Sequence, residues 1–487
     1  MKITVIGAGY VGLSTAACFA HIGHDVFCSE NNKLKLEKLQ AGLVPFYEPH
    51  LEQIIASAVG RGKLSFGSTN EGIDQSDVIF ICVGTPPLPN GEADLSAIEA
   101  LARDIAKRAK GYRLVVEKST VPVQTGERLR KHISIHSSRD LHVEVASNPE
   151  FLREGSSIHD LLHPDRIVVG TESPRATEIL REIYEPIVEG SFDCPLHDRC
   201  DSRGNIRFLV TDTNSAELIK HASNSFLAMK ISFINMVSDL CDAVGADVAT
   251  VAEGMGLDPR IGAAFLSPGL GFGGFCFPKD VQAFRRIGEK NGCDFALLQE
   301  VEKINKTRIG RLVEKIRQEL WVLRGRKIAV LGLAFKPNTD DVRFAPALEL
   351  IRVLMEEGAE ITAFDPEAMD KAKAEIANIQ YASNPYEAVR GADAVVLVTE
   401  WEEFRNLDWK RLRELVARPL IIDGRNALDP MLLSRNGFEY RCVGRPAICD
   451  RKMQDQPADV KLKHSDQGKT NGKVSFSNSF ISNTVRQ

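Results

Sequence analysis

Apolar and polar positions follow two rhythms along this chain. Residues 2–7 (KITVIG) form a short apolar β run, and Gly7, Gly9 and Gly12 come directly after it. A helical pattern then runs through Ala16, Ala17 and Phe19 to Gly23, and a second strand, 25–29, ends at Glu30. The apolar runs 77–83 (DVIFICV) and 113–118 (RLVVEK) have the character of buried strands. Strands alternating with helices imply βαβ units and a parallel sheet. The pattern therefore predicts an α/β domain with a parallel sheet over residues 1–200.

The rhythm changes at 213. Residues 213–246 hold helical spacing without a proline, and Gly245 stands near the end of the run. Helical patterns continue to about residue 320, broken by a Gly-rich loop at 267–275. This predicts a helical central segment, 201–320, containing one long helix. A new strand begins at 326–332 (RKIAVLG), and strand patterns recur at 360–364, 394–398 and 419–423 with helices between. A second α/β domain is expected over 321–445. Residues 446–487 are polar, rich in Ser, Asn, Lys and Gln, and lack the apolar surface to fold, so a disordered tail is expected.

Composition narrows the function classes. The chain has 487 residues, 43% of them hydrophobic, which suffices for several cores. A net charge of −5 argues against a nucleic-acid or anionic-membrane binder, although a local basic pocket can still take an anion. The N-terminal MKITVIGAGYVG has no charged leader before an apolar run, and no stretch approaches the ~20 apolar residues of a membrane span. A cytoplasmic protein is expected. Ten cysteines lie scattered without framework spacing, so each is first a small packed hydrophobe. In CPLHDRC, 194–200, two Cys and a His suggest zinc, but the spacing fits no standard motif and a fourth ligand is not evident. It reads as a surface loop, and no metal is expected.

Candidate chemistry lies in two glycine-rich turns. Gly7, Gly9 and Gly12 form GxGxxG between a strand and a helix, which suits a tight turn, close approach of a pyrophosphate and helix–strand packing. Glu30 follows Gly12 by 18 residues and can accept hydrogen bonds from a ribose 2′-OH while repelling a 2′-phosphate. NAD is therefore favoured over NADP, with Lys35 nearby. Thr85 in GTPP, and Ser119 and Thr120 in EKSTVP, follow strands, where ligands of open α/β sheets bind. The second turn is GLGFGGFCFPKD, 269–280: its glycines permit close backbone approach to a ligand. Beside Lys279, Asp280 and backbone dipoles, the Cys276 thiol is expected to ionise near neutral pH.

The ordered segments VIGAGYVG, VGTP, EKSTVP, NPEFLREG, AELIKHASNSFLAMKISFIN and GFGGFCFPKD resemble the UDP-glucose/GDP-mannose dehydrogenase family over about residues 1–440. That resemblance implies an N-terminal NAD-binding Rossmann domain, a dimerising helical centre and a C-terminal Rossmann-like domain that holds the nucleotide sugar. It also implies a four-electron oxidation of a sugar C6 alcohol, consuming two NAD⁺ by way of a cysteine thiohemiacetal and thioester. Matched position by position, Cys276 is the nucleophile, Lys220 and Asn224 stabilise the oxyanion, and Glu150 is a general base. Asp280 and Thr120 position or activate water. The match also implies NAD contacts at Val11, Glu30, Lys35, Thr85, Thr120, Glu154 and Arg343. For the sugar nucleotide it selects Glu150, Phe151, Leu152, Arg153 and Glu154, with Lys220 and Asn224. It further selects the 267–273 loop with Phe272 and Gly273, together with Phe335, Lys336 and Arg425. Arg260 is implied to reach the neighbouring subunit's site, which makes a homodimer necessary.

The chain departs from the family pattern at Phe275, Met236 and Ser267, and SENN replaces the usual end of the second strand. HPDRIVVG and Phe277 favour UDP-glucose over GDP-mannose as substrate. An N-acetylated UDP-sugar is disfavoured by NPEFLREG, and a two-electron hydroxy-acid dehydrogenase would need neither Cys276 nor residues 326–445. A non-catalytic nucleotide-binding protein is the remaining alternative.

Overall fold

The computed structural model describes residues 1–137, 141–197 and 206–446. The expected tail lies outside these residues except for Pro446, and so does Cys200 of CPLHDRC.

The first apolar runs pair as strands of one eight-stranded sheet. In spatial order it holds Leu64–Gly67, Asp25–Ser29, Lys2–Ile6, Val78–Ile81, Gly111–Glu117, Leu141–Ser147, Arg166–Gly170 and Arg207–Thr211. Pairing is parallel except at Ser147↔Gly170, where the last two strands join in the opposite sense. The central strands read as unbroken apolar runs because both faces are covered. Val78 and Phe80 enter one core cluster with Leu13 and Ala17, while Ile79 and Ile81 enter another with Ile98 and Leu101. Strand order reverses between Lys2–Ile6 and Val78–Ile81, so a crevice opens at their carboxyl ends, beside Gly7 and Cys82.

The six-stranded second sheet is wholly parallel: Gln380–Tyr381, Glu360–Phe364, Lys327–Leu331, Ala394–Leu397, Leu420–Asp423 and Glu439–Cys442. Between the sheets runs the helix Thr213–Val244, of 32 residues. Asp212 caps its start by accepting the Ser215 N–H, and Gly245 ends it at φ 75°, a left-handed conformation that glycine adopts without strain. It packs on the helices Cys276–Lys290 and Ala296–Leu320. Both sheets and these helices belong to one compact unit, Met1–Ala447. Among the described residues no helix is long and apolar enough to cross a membrane.

Several strands differ from the sequence expectation. The run expected at 113–118 pairs as Gly111–Glu117, and the strands Leu64–Gly67, Leu141–Ser147, Arg166–Gly170 and Arg207–Thr211 were not foreseen. Arg207–Thr211 (RFLVT) lies at the sheet edge, where its apolar Leu209 and Val210 are exposed.

Candidate active site

At the crevice of the first sheet the three fingerprint glycines have different surroundings. A Cβ on Gly12 would lie 1.7 Å from the Gly7 carbonyl oxygen, and one on Gly7 2.6 Å from that of Cys82. A Cβ on Gly9 would meet nothing within 4 Å. Gly9 also precedes the helix Tyr10–His21, whose first N–H groups receive no side-chain cap. Open space before an uncapped helix start suits a pyrophosphate. Glu30 lies at the end of the second strand, accepting the Asn32 N–H at 3.0 Å and pairing with Lys35 at 3.0 Å. Burial pushes its carboxyl up, but Asn32 and Lys35 outweigh this and hold it below the usual range, so it remains an anionic acceptor. These residues fit NAD. Val11 and Lys35 border the same turn, and the Thr85 hydroxyl donates to the Thr120 carbonyl at 2.8 Å, joining the loops after two neighbouring strands.

The second constellation is buried. Lys220 Nζ lies 2.9 Å from Glu150 Oε1, with each side chain only 4% exposed. One turn along the helix, Asn224 donates to Asp280 at 2.6 Å, and Asp280 accepts Lys279 Nζ at 2.5 Å. Cys276 opens the helix Cys276–Lys290 and stands within the fields of Glu150, Asp280, Lys220 and Glu154. Thus Cys276, Lys220, Asn224, Glu150 and Asp280 come together from three separate parts of the chain. Thr120 approaches through its neighbour: His221 Nε2 donates to the Val121 carbonyl at 2.8 Å.

The charge balance differs from the sequence expectation for the thiol. Burial, reinforced by Glu150 and Asp280, pushes the Cys276 thiol up to about 12 against the opposing pull of Lys220. It is therefore a neutral thiol at pH 7 in the free protein, because burial disfavours the thiolate and the fields of Glu150 and Asp280 add to that effect. Burial also works against Lys220, but Glu150, Asp280 and Cys276 outweigh it and keep the ammonium charged. Asp280 is raised by burial yet held low by Lys279, His221 and Lys220, so it stays ionised.

The NPEFLREG segment lines one side. Leu152 donates its N–H to Glu150 at 2.5 Å, and Phe151 lies between Lys220 and the Arg166 guanidinium, 3.6 Å from its ring centre. Arg153 makes a two-pronged pair with Asp160. Glu154 meets Arg343 at 3.3 Å, and Arg343 is held by Asp341 at 2.6 Å. Burial and Asp341 push the Glu154 carboxyl up, whereas Arg343 keeps Asp341 low despite its burial.

Three glycines of the Gly-rich loop lie close against protein neighbours. A Cβ on Gly271 would lie 2.3 Å from Asn305 Oδ1, one on Gly273 2.4 Å from the Phe344 carbonyl, and one on Gly274 2.6 Å from the Phe335 ring. Asn305 binds both the N–H and the carbonyl of Phe272, whose ring sits in an apolar cluster with Phe277. These glycines admit protein neighbours, and the Phe272 peptide groups are already engaged. Arg425 donates to the carbonyls of Val398, Gly271 and Phe335, so it ties the loop to the second sheet. Lys336 lies over Phe335 in the fields of Glu154, Arg153 and Glu48. Phe275 stacks under Arg343 at 4.4 Å, and Ser267 is exposed. Arg260 stands apart on the surface, paired with Asp258 at 2.6 Å.

Two residues were invisible to motif reasoning. Glu48 accepts the N–H groups of Gly155 and Ser157 at 2.7 and 2.8 Å and so shapes the end of NPEFLREG. Lys118 is buried against Asn148 at 3.1 Å, and burial pushes its ammonium down to about 8. Lys118 stands inside EKSTVP, where its motif could have drawn notice, whereas nothing around Glu48 marks it.

The chain matches three models described as the UDP-glucose/GDP-mannose dehydrogenase family: its NAD binding domain at residues 1–188, central domain at 214–307 and UDP binding domain at 329–430. It is 44% identical to a UDP-glucose 6-dehydrogenase of Rhizobium meliloti (strain 1021), covering 92% of this chain and 100% of the relative. It is 41% identical to UDP-glucose 6-dehydrogenase TuaD of Bacillus subtilis (strain 168), over 93% of this chain and 95% of that one. The solved UDP-glucose dehydrogenase of the archaeon Pyrobaculum islandicum superposes with a TM-score of 0.81 at 39% identity, covering 91% of this chain and 98% of that chain.

Proposed function

The chain belongs to the UDP-glucose/GDP-mannose dehydrogenase family, and from that premise we propose that it oxidises the C6 alcohol of UDP-glucose to the carboxylate of UDP-glucuronate with two NAD⁺. The observation that carries this reading is the buried meeting of Cys276 with Lys220, Asn224, Glu150 and Asp280. The names of the relatives support UDP-glucose as the sugar. When bound, NAD⁺ supplies the hydride acceptor for both oxidations.

The residues divide the work as follows. Glu150, directly or through water, takes the C6 hydroxyl proton as C6 loses its first hydride. The Lys220 ammonium, held in place by Glu150, stabilises the negative charge that develops on that oxygen, with Asn224 assisting. The neutral Cys276 thiol then adds to the aldehyde. A sulfur–carbon bond forms, and the thiol proton passes to a carboxylate of the cluster. The covalent thiohemiacetal keeps C6 in place for loss of a second hydride, which leaves a thioester. Water activated by Asp280 and Thr120 adds to the thioester, the sulfur–carbon bond breaks, and the sulfur regains its proton.

Residues 1–200 would hold NAD through Gly7, Gly9, Val11, Gly12, Glu30, Lys35 and Thr85, with Glu154 and Arg343 at the far side. Residues 321–445 would hold the nucleotide through Phe335, Lys336 and Arg425, since guanidinium and ammonium groups suit a diphosphate. We assign the working unit as a homodimer. Phe226, Phe233, Met236, Leu240 and Val244 are exposed along one long helix, an unusual apolar stripe for a free surface, and Arg260, paired with Asp258, is exposed where a partner could meet it. A cytoplasmic setting supports reduced thiols.

The test is NADH formed from limiting UDP-glucose, with GDP-mannose and UDP-N-acetylglucosamine in parallel. Two NADH per UDP-glucose are expected. One NADH would remove the covalent role of Cys276, and turnover with GDP-mannose alone would overturn the sugar assignment.

A further inference from the structure

Away from the Cys276 cluster, three side chains with metal-binding chemistry converge. His163 follows the helix Ser157–Leu162 as its C-terminal cap, while Cys194 and His197 stand in the loop beyond the helix Pro174–Glu189. His163 Nε2 lies 3.2 Å from Cys194 Sγ, and His197 Nδ1 lies 3.4 Å from the same sulfur. All three donor atoms are within 4.8 Å of one another. Tetrahedral zinc, with bonds of about 2.3 Å to sulfur and about 2.0–2.1 Å to nitrogen, sets neighbouring ligand atoms roughly 3.4–3.6 Å apart. The observed separations from the sulfur are close to that spacing. We propose that His163, Cys194 and His197 form a zinc site.

The loop is already held where the site requires it. His21 Nε2 donates to the Asp193 carbonyl at 2.7 Å, and the Phe192 ring packs between those of His21 and His163. His159 stands beside the site, its ring 5.3 Å from that of His163 and 6.1 Å from that of His197. The fourth position falls to His159 or to water. A thiolate with imidazoles is a borderline-soft set that selects zinc over magnesium or calcium. On binding, the Cys194 thiol loses its proton to water and the thiolate becomes the ligand. The ion would brace the helix Ser157–Leu162, whose Asp160 holds Arg153. None of the three ligands takes part in the chemistry proposed at Cys276, so the role is structural.

The full chain, freed of any histidine tag and purified without chelator, is analysed for metal by mass spectrometry. About one zinc per chain is expected for a structural site. Chelator-treated protein given Co²⁺ should show tetrahedral ligand-field bands and a thiolate-to-cobalt charge-transfer band. Cys194→Ser and His197→Ala should each lose the bound zinc and that band, while Cys293→Ser keeps both. His197 is exposed, so its variant tests the site without opening a core. Metal-free wild-type protein that gives no thiolate band with Co²⁺ would overturn the site. So would zinc retained in full by the Cys194→Ser/His197→Ala double variant.

Discussion

After its first strand each half of the molecule turns through a left-handed glycine, Gly7 at φ 101° in one and Gly332 at φ 96° in the other. Each then places a carboxylate just past its second strand, Glu30 in the N-terminal half and Asp365 in the C-terminal half. In the N-terminal half the turn is left open: Gly9 faces free space, the helix at Tyr10 starts uncapped, and the Glu30 side chain is 14% exposed. In the C-terminal half Asp365 is fully buried and closes the turn from within. It accepts the N–H groups of Leu333 and Ala334 at 2.6 and 3.0 Å, those of Glu367 and Ala368, and the Trp401 indole N–H. The donors that would greet a pyrophosphate in one half are thus saturated by a side chain in the other. Residues 333–345 instead present Lys336 and Arg343 toward the first half, where Tyr10 donates to Asp340 at 2.5 Å. Shared topology therefore does not set the ligand; the loop after the first strand does.

The largest expected effects fall on Cys276, between the two halves. Cys276→Ser should lower kcat by at least about a thousandfold, as loss of a covalent catalyst does, while isothermal titration still detects NAD⁺ and UDP-glucose. Loss of both binding events would make the residue structural. The neutral thiol also predicts its pH dependence. With the thiol pushed up to about 12, its thiolate fraction grows tenfold per pH unit from pH 7 to 10 and does not level off there. Iodoacetamide labelling of Cys276, followed by peptide mass spectrometry, should rise likewise and trail labelling of the exposed Cys293 at pH 8. A plateau near pH 7 would mean a thiolate at rest.

The paired carboxylates give the next contrast. Asp365→Ala strands five N–H donors inside the C-terminal half and should cost about 3–5 kcal/mol, read from denaturant unfolding. Glu30→Gln keeps an acceptor for the Asn32 N–H and loses only a part-exposed pair with Lys35, so it should change stability by less than about 1 kcal/mol, yet raise the KM for NAD⁺ roughly tenfold. Equal loss of stability at both positions would erase the distinction drawn between the halves. A finer version lies within one turn. Gly12→Ala drives a methyl to 1.7 Å from a carbonyl oxygen and should destabilise the N-terminal half, whereas Gly9→Ala should fold normally and weaken NAD⁺ alone.

The candidate site was partly legible. GxGxxG, Glu30 and the FCFPKD segment announce themselves because chemistry and backbone geometry constrain neighbouring positions, and Lys220 and Asn224 share a helix face by spacing. The ionisation of Cys276 differs from the expectation, because the neighbouring Lys279 and Asp280 are visible in the sequence but the ion pair between them, the burial of the thiol and the field of Glu150 are not. The glycines of 269–274 announced close approach without saying to what; Asn305, Phe344 and Phe335 occupy that space. CPLHDRC appeared short of ligands because His163 lies 31 residues before Cys194.

The sequence alone determined the central apolar strands of each sheet, the long helix with its Gly245 stop and the open dinucleotide turn, and it singled out Cys276 as the candidate thiol. Each depends on periodicity or on residues close together in the chain, where steric and hydrophobic rules act locally. Only the tertiary structure decided which charges surround that thiol, which half's turn stays open and which histidines meet Cys194. Those outcomes depend on burial and on distances between segments far apart in sequence, and electrostatic effects follow space rather than chain order.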